Sequence, residues 1–230
     1  MTALQIEEYK KKLLLSGVGK TLTDDNKKEI GKSLRFISFK KGENIFKQGR
    51  PIDEIAVLLH GYAKILIENS TNTKKTIISI QRPVTGLGTA TFYDETYTAT
   101  AEAITDVVVA FLNKETMRNI LTTNATFAST LFAESTQAIL KYVKQLTSFS
   151  QKQIKARIAA VLLNLSQMVK KDVIDIQISR NDIADFAGVS TGSAIRILAE
   201  LESEKIIELN NKAIQILNKD VLIHISEIDY

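Results

Sequence analysis

The stretch of sequence that most restricts the fold is residues 179–198, which predicts two short helices joined by a sharp bend. Ser179 can cap the first helix, and Asp182 stands three residues later, where a capping box has its acidic partner. Gly188 stands at the bend, where the backbone needs a positive φ that glycine adopts without strain. A small residue (Ala184), a glycine four residues later and a serine cap (Ser190) two residues after that are the pattern of a helix-turn-helix.

The second helix of this stretch has one apolar face and one exposed face. The internal apolar set is Ile183, Ala187, Val189, Ala194 and Ile197. In a helix-turn-helix the second helix enters the DNA major groove, and its N-terminal residues reach base edges. We therefore predict that the exposed, DNA-facing residues are Thr191, Gly192, Ser193 and Arg196.

Arg196 is the only cation on that predicted face, and an arginine can bond guanine O6 and N7 together. The alternative for Arg196 is an ordinary surface ion pair with Glu200, four residues later. Ser179, Arg180 and Ser190 stand at the two helix N-termini, where hydroxyls, amides and the helix dipole favour phosphate. We predict that these three residues contact the DNA backbone.

Upstream, residues 34–111 are made of short β-branched and aromatic runs separated by turn residues. Strands are predicted at 36–39, 44–46, 55–59, 63–67, 76–80 and 107–112. Turns are predicted at 41–43, 49–51, 60–61 and 69–72. Many short strands at about ten-residue spacing favour a β-roll or barrel.

Between these two regions the spacing predicts a short helix over 114–121 and a longer one that starts at Asn124. Apolar residues of the longer helix recur at alternating intervals of three and four, which is typical of a coiled-coil seam. The seam is Phe132, Ser135, Ile139, Tyr142, Leu146 and Phe149. A second row (Phe127, Leu131 and Ala138) lies beside it. We expect the second row to pack on the roll and the seam to pack on a partner chain. The alternative is a helix that packs only on its own domain.

The C-terminal region contains a further amphipathic helix over 151–169, a short strand over 173–178 and a hairpin after the helix-turn-helix. The hairpin is predicted to turn at Asn210-Asn211, since asparagine tolerates the positive φ of a primed turn. It would form the wing of a winged helix-turn-helix. Asn218 can cap a last short helix.

Composition excludes several classes of protein. The 230 residues include no cysteine and two histidines, so thiolate catalysis, iron–sulfur clusters and zinc–thiolate sites are excluded. A cupin-type metalloenzyme needs clustered histidines on its roll, and no catalytic triad or phosphate-binding loop is present. We expect neither an enzyme nor a metal site. No apolar run is long enough to span a membrane, and we expect a cytoplasmic protein.

Net charge does not identify a partner. The chain carries +4 overall, but residues 147–230 hold ten Lys and Arg against eleven Asp and Glu. The prediction of DNA binding therefore rests on the motif and not on charge.

Taken together, these features resemble the Crp–Fnr family of bacterial transcription regulators over nearly the whole chain. The motifs that carry the resemblance are Lys41-Gly42-Glu43 with Ile45-Phe46 and Gly49, Leu58-Leu59-His60-Gly61, Arg157-Ile158-Ala159 to Leu162-Leu163-Asn164-Leu165, and the helix-turn-helix. The resemblance implies a homodimer, an effector pocket in the roll, a pseudo-palindromic double-stranded operator and contact with RNA polymerase. It also implies an α+β fold with an N-terminal jelly-roll-like β-roll, a long dimerisation helix and a C-terminal winged helix-turn-helix.

The sequence departs from family members that bind cyclic AMP. Their Gly-Glu-Leu turn, whose Glu holds the ribose, is here Gly86-Leu87-Gly88, and their Arg-Ser/Thr pair, which holds the phosphate, is here Tyr97-Thr98. Tyr142 stands where a hydroxyl residue of the dimer helix meets adenine. A buried phosphate without a cation is costly, so we expect no cyclic AMP, and the absence of cysteine removes the family's iron–sulfur sensing and any cysteine haem ligand. The pocket either takes an apolar or uncharged ligand or is empty.

These arguments predict three parts. Residues 1–122 form the N-terminal helices and effector roll, 123–149 the dimerisation helix and 150–230 the winged helix-turn-helix. The leading interpretation is a homodimeric DNA-binding transcription regulator. The alternative is a ligand-sensing or interaction protein whose helix-turn-helix no longer binds DNA, because Gly192 and the balanced charge of the C-terminal part weaken the motif.

Overall fold

The computed structural model describes residues 2–15, 17–68, 75–88, 93–211 and 213–227. By internal contacts the chain divides into two units, one of residues 1–68 and 80–140 and the other of residues 69–79 and 141–230. The predicted turn at 69–72 lies outside the described residues.

The chain begins with helices α1 (Ala3–Leu14) and α2 (Asp24–Ser33), with a short 3-10 helix, Gly17–Thr21, between them. Thr23 caps α2, because its side chain accepts from the backbone N–H of Asn26.

Eight strands then form two antiparallel four-stranded sheets. In sheet order they run β1-β8-β3-β6 and β2-β7-β4-β5. Their bounds are β1 Arg35–Phe39, β2 Asn44–Phe46, β3 Glu54–His60, β4 Ala63–Glu68, β5 Lys75–Gln81, β6 Thr85–Leu87, β7 Thr100–Ala103 and β8 Val107–Asn113. The sequence predicted six of these strands and missed β6 and β7, which are only three and four residues long and contain glycine, alanine and glutamate, residues that are depleted in strands.

Between the sheets lies the core of the roll. Ala56, Leu58, Ala101 and Val109 are fully buried in it. A second apolar cluster joins the N-terminal helices to the outer faces of β3 and β8 and to helix α3, Lys114–Thr123. Phe127 of the following helix α4, Ala125–Gln151, is part of that cluster.

The second unit contains α5 (Ile154–Val169), β9 (Val173–Ile174), α6 (Arg180–Ala187), α7 (Thr191–Ser203), β10 (Ile207–Leu209), β11 (Ile214–Ile216) and α8 (Lys219–Ser226). The three strands form a small antiparallel sheet in the order β10-β11-β9. Asn210 and Ala213 exchange both backbone hydrogen bonds. Asn210 is therefore a member of the bonded pair and not of the two-residue turn predicted at Asn210-Asn211. Strand β9 ends before the predicted residue 178.

The mixed architecture of a β-roll, a 27-residue helix and a winged helix-turn-helix is the predicted α+β fold class. The predicted domain boundaries at 122/123 and 149/150 stay a prediction.

Candidate functional site

The first helix of the helix-turn-helix, α6, starts with the predicted capping box. The hydroxyl of Ser179 accepts from the backbone N–H of Asp182 at 3.0 Å and donates to its carboxylate at 2.6 Å. The same carboxylate accepts from the backbone N–H of Ser179. These bonds satisfy orphan donors at the helix start, so the Ser179 hydroxyl is engaged within the chain. Arg180, the first helical residue, is half-buried.

The bend between α6 and α7 depends on Gly188. Its φ of +67° places it in the left-handed region, and its N–H donates to the carbonyl of Ala184. The N–H of Val189 donates to the same carbonyl at 3.0 Å. Ala184 is fully buried, as its position at the helix crossing predicts. The predicted apolar set is buried except for Val189, which is half-buried.

At the start of α7, Ser190 accepts from the backbone N–H of Ser193 at 3.1 Å, and the two hydroxyls lie 2.9 Å apart. Thr191 and Gly192 are exposed, and Ser193 is half-buried. A Cβ added at Gly192 would meet no atom within 4 Å. The N-terminal turn of α7 is therefore open on the side away from the core.

One turn further along, Arg196 points outward, with 67% of its side chain exposed. Its guanidinium Nη1 lies 3.7 Å from the Glu200 carboxylate, which is the surface ion pair that the spacing of four residues allows. The ammonium of Lys155, in the first turn of α5, approaches Glu200 more closely, at 2.7 Å, and Glu204 at 2.9 Å. The four charged groups form one cluster on the flank of α7.

The pKa values follow these distances. The pKa of Glu200 is lowered, first by its hydrogen bond to Lys155, then by the charge of Lys155, with Arg196 contributing least. Burial acts to lower the pKa of Lys155, but the hydrogen bonds to Glu200 and Glu204 outweigh it, and the net direction is upward. Both shifts favour the charged forms of Glu200 and Lys155 at neutral pH.

Sequence reasoning missed Ile195. It lies on the exposed side of α7 with 51% of its surface accessible, one helical turn after Thr191. An apolar side chain can contact the methyl group of thymine in the major groove. The signal was available, because Ile195 falls outside the internal apolar set of the motif.

Along α4, the two predicted rows differ in burial. Phe127 is buried and Leu131 packs on the cluster around α3. Three members of the predicted seam are exposed large apolar residues, Phe132 at 74%, Ile139 at 58% and Leu146 at 67%. Ser135 and Tyr142 are half-buried. Phe149 is half-buried and lines a surface cavity with Ala160 and Asn164 of α5.

In the roll, the turn predicted to mark an effector pocket is packed with the chain's own side chains. Leu87 ends β6 and is 1% exposed, and Gly88 follows with a φ of +69°. A Cβ on Gly88 would lie 3.0 Å from the Phe46 ring. The ring of Tyr97 stacks on Phe46 at 4.0 Å between centroids, with 8° between the planes.

Tyr97 is fixed from three sides. Its hydroxyl donates to the carbonyl of Glu54 at 3.0 Å, its N–H donates to the carbonyl of Arg50, and its carbonyl accepts from the N–H of Gly49. Burial, followed by the negative charges of Glu54 and Asp53, raises the pKa of Tyr97 to about 12. Gly86 pairs with Val57 of β3, and Thr98 is exposed.

Two further findings bear on chemistry. Within the described ranges, no three His, Cys, Asp or Glu side chains come together as a possible metal site. None of the helices in the described part of the chain combines the length and apolar character needed to cross a bilayer.

Comparison with known proteins matches both units. Residues 36–124 match the model of the cyclic nucleotide-binding domain, and residues 156–225 match the model of the Crp-like helix-turn-helix domain. The chain is 20% identical to the CRP-like cAMP-activated global transcriptional regulator of Mycobacterium tuberculosis, over 84% of this chain and 88% of that protein. It is 23% identical to the cAMP-activated global transcriptional regulator CRP of Escherichia coli, over 86% and 96% respectively. The solved structure of FixK2 from Bradyrhizobium japonicum superposes with a TM-score of 0.76 at 18% identity, covering 86% of this chain and 99% of that one.

Proposed function

The chain belongs to the Crp–Fnr family of DNA-binding transcription regulators, and from this premise we propose that it acts as a homodimer on a pseudo-palindromic operator. The observation that carries the proposal is the exposed N-terminal face of α7, which stands on a helix-turn-helix whose internal apolar face is buried. Two such helices in a two-fold dimer would lie about 34 Å apart, one turn of DNA.

Within this proposal the exposed face of α7 reads the bases. Arg196 reaches a guanine, and Ile195 offers methyl groups to a thymine. The helix comes close to the groove at its small N-terminal residues, Thr191, Gly192 and Ser193. Arg180 lies along the phosphates and sets the register of the protein on the duplex. Ser179 and Ser190 cap the two helix N-termini beside it.

Dimerisation is assigned to α4. The exposed row of Phe132, Ile139 and Leu146 is an apolar stripe on one side of a helix whose other row is packed on its own unit. Exposed large apolar side chains in a row mark an interaction surface. A second copy of α4 covers the stripe by the same seam, with Tyr142 between Ile139 and Leu146.

The roll is proposed not to bind cyclic AMP. Leu87 and Tyr97 stand in place of the two charged anchors, and Phe46 and Tyr97 stack where the turn at Gly88 faces the core. A cyclic nucleotide would have to displace these side chains and bury a phosphate without the arginine that balances it. If an effector exists, it is apolar or uncharged.

We assign the three parts of the chain by analogy with the family. Residues 1–122 are the sensor part, 123–149 the dimerisation helix and 150–230 the DNA-binding part. The protein works in the cytoplasm and contacts RNA polymerase at its promoters, with no cofactor and no catalytic activity.

Site selection from random duplexes tests DNA binding directly. The wild-type protein should select a two-fold symmetric consensus, and mobility shifts at two salt concentrations should favour it over random DNA. Arg196→Ala should relax one base pair in each half-site, with a loss of about 1–3 kcal/mol of discrimination. Weak binding of all sequences alike by the wild type would instead support the alternative of an interaction protein with an inactive helix-turn-helix.

Arg180→Ala is the matched control for this experiment. It should weaken binding to every sequence by a similar factor and reduce the salt dependence by about one counterion per subunit. A wild-type consensus that survives Arg196→Ala unchanged would contradict the assignment of base reading to Arg196.

Calorimetry tests the sensor part. Titration of the full-length protein with cyclic AMP should give no heat of binding at micromolar concentration. A micromolar dissociation constant would refute the proposal for the roll and leave the proposal for α7 in place.

A further inference from the structure

Glu200 of α7 lies between two cations that come from different helices. Its Oε1 lies 2.7 Å from the Nζ of Lys155, and its Oε2 lies 3.7 Å from Nη1 of Arg196. The first distance is that of a charge-assisted hydrogen bond, and the second is outside hydrogen-bond range. Glu200 is therefore bonded to α5 rather than to its own helix neighbour.

Without Lys155, helix geometry would bring Glu200 to Arg196. The two residues are four apart and lie on one face, so their side chains can meet. An arginine that pairs with a glutamate must give up or share its donors before it can bond a guanine. A hydrogen-bonded pair of Glu200 and Arg196 would therefore compete with the contact between Arg196 and the base.

Lys155 also bonds the next acidic residue of the helix. Its Nζ lies 2.9 Å and 3.0 Å from the two carboxylate oxygens of Glu204, one turn after Glu200. One ammonium group therefore holds two carboxylates on the α5 side of α7. Released from it, both would be free to turn toward the phosphates, where negative charge opposes binding.

We propose that Lys155 is a positioning residue for DNA reading, which holds Glu200 and Glu204 on the α5 side and keeps Glu200 out of hydrogen-bond range of the Arg196 guanidinium, so that the donors of Arg196 can bond the base edge. Lys155 itself is half-buried at the start of α5 and needs no contact with DNA for this role. The inference rests on the proposed function of Arg196 as the base-reading residue.

The experiment compares full-length variants on two duplexes, the selected operator and the same operator with the Arg196-dependent base pair changed. Lys155→Met should reduce the ratio of the two affinities about 2-fold, a smaller loss than Arg196→Ala gives, because the competing i, i+4 ion pair is weaker than the base contact. Lys155→Arg should keep the ratio, because it retains the charge. Glu200→Gln combined with Lys155→Met should recover most of it, because the competing carboxylate is gone.

Lys219→Met is the matched control. Lys219 forms an ion pair of similar length, 2.8 Å, with Asp172 in the same unit. The variant removes the same charge without touching Glu200, so the affinity ratio should be unchanged. Thermal unfolding of every variant separates a folding defect from a binding defect, and recovery by the second substitution in the double variant is a result that misfolding would not give.

The outcomes separate the two proposals. If Lys155→Met weakens both duplexes equally and leaves their ratio intact, or lowers the ratio as much in an Arg196→Ala background as in the wild type, the positioning role is wrong while Arg196 keeps its own. If Arg196→Ala alone leaves the ratio unchanged, Arg196 does not read the base, and the inference fails with the proposed function.

Discussion

The family resemblance predicts a ligand both at the turn at Gly88 in the roll and at the N-terminus of α7. The two places differ in burial, because the first is packed with side chains and the second is exposed to solvent. At Gly88 the backbone is approached by Phe46, and Tyr97 covers Phe46 in turn. At α7, Thr191, Gly192 and Arg196 have no side chain from the core over them. One site is closed by the protein's own residues and the other is left to solvent.

The difference has an energetic basis. Burying a side chain such as Leu87 stabilises the fold by roughly 1.5–3 kcal/mol, and a ligand in that space would have to replace this contribution. The exposed face of α7 contributes little to stability, so its residues are free to be selected for contact with another molecule. A sequence motif alone predicts a ligand at both sites. The burial of their side chains shows that only the N-terminus of α7 is exposed to solvent.

The largest effect is expected from the exposed row of α4. Ile139→Lys combined with Leu146→Lys places charges in the apolar seam and should yield a monomer. Because operator affinity needs both helix-turn-helix units, it should fall by at least about 100-fold. Light scattering and mobility shifts measure the two effects, and Glu134→Lys with Gln137→Lys, off the seam, is the control. A double variant in the seam that still forms a dimer would refute the assignment of the interface.

The next largest effect is expected from removing the Tyr97 ring, which packs in the core of the roll. The loss in free energy of unfolding should be a large part of the stability of a small domain. Tyr97→Ala deletes a stacked, buried ring and should lower the free energy of unfolding by about 3 kcal/mol. Thr98→Ala, at the exposed neighbouring position, should change it by less than about 0.5 kcal/mol. Urea unfolding of both variants provides the comparison. Equal effects would mean that the roll is not closed by Tyr97.

The two glycines of the helix-turn-helix should respond in opposite directions. Gly188→Ala forces a Cβ onto a backbone with φ of +67° and should destabilise by about 1 kcal/mol. Gly192→Ala adds a better helix former in open space and should stabilise by about 0.5 kcal/mol. Both sites leave room for the added Cβ, so thermal unfolding compares backbone strain alone. The same sign for both would contradict the assigned bend.

The smallest effect at neutral pH concerns the titration of Tyr97, which changes stability only in alkaline solution. Because its pKa in the folded protein is about 12, above the ordinary value of 10, the unfolded chain loses this proton first as the pH rises. The contribution to stability is complete below pH 10 and is lost as the pH approaches 12. Between pH 9 and 11 the wild type should lose about 1 kcal/mol more than Tyr97→Phe, after allowance for solvent screening. Identical pH dependence of the two proteins in urea unfolding would show that the hydroxyl is not held in the core.

Local signals in the sequence predicted the helix-turn-helix well. Ser179, Gly188 and Ser190 act through bonds to residues at most four positions away, and such bonds depend on the residues themselves. The same holds for Asn218, which caps α8 through the N–H of Val221. The alternating spacing along α4 likewise indicated two rows of apolar residues, and the partner chain that would cover one of them stays a prediction.

Only the tertiary structure decided the rest, because the deciding contacts join residues far apart in the chain. Strand β7 (Thr100–Ala103) has weak strand propensity and forms because β2 and β4 pair with both of its edges. Tyr97 matched a ligand-binding position in sequence, yet Phe46 and the carbonyl of Glu54, more than forty residues away, make it a core residue. Lys155 and Glu200 are likewise 45 positions apart. The sequence determined which residues could begin and end each helix, while packing between distant segments determined which side chains were left to meet a ligand.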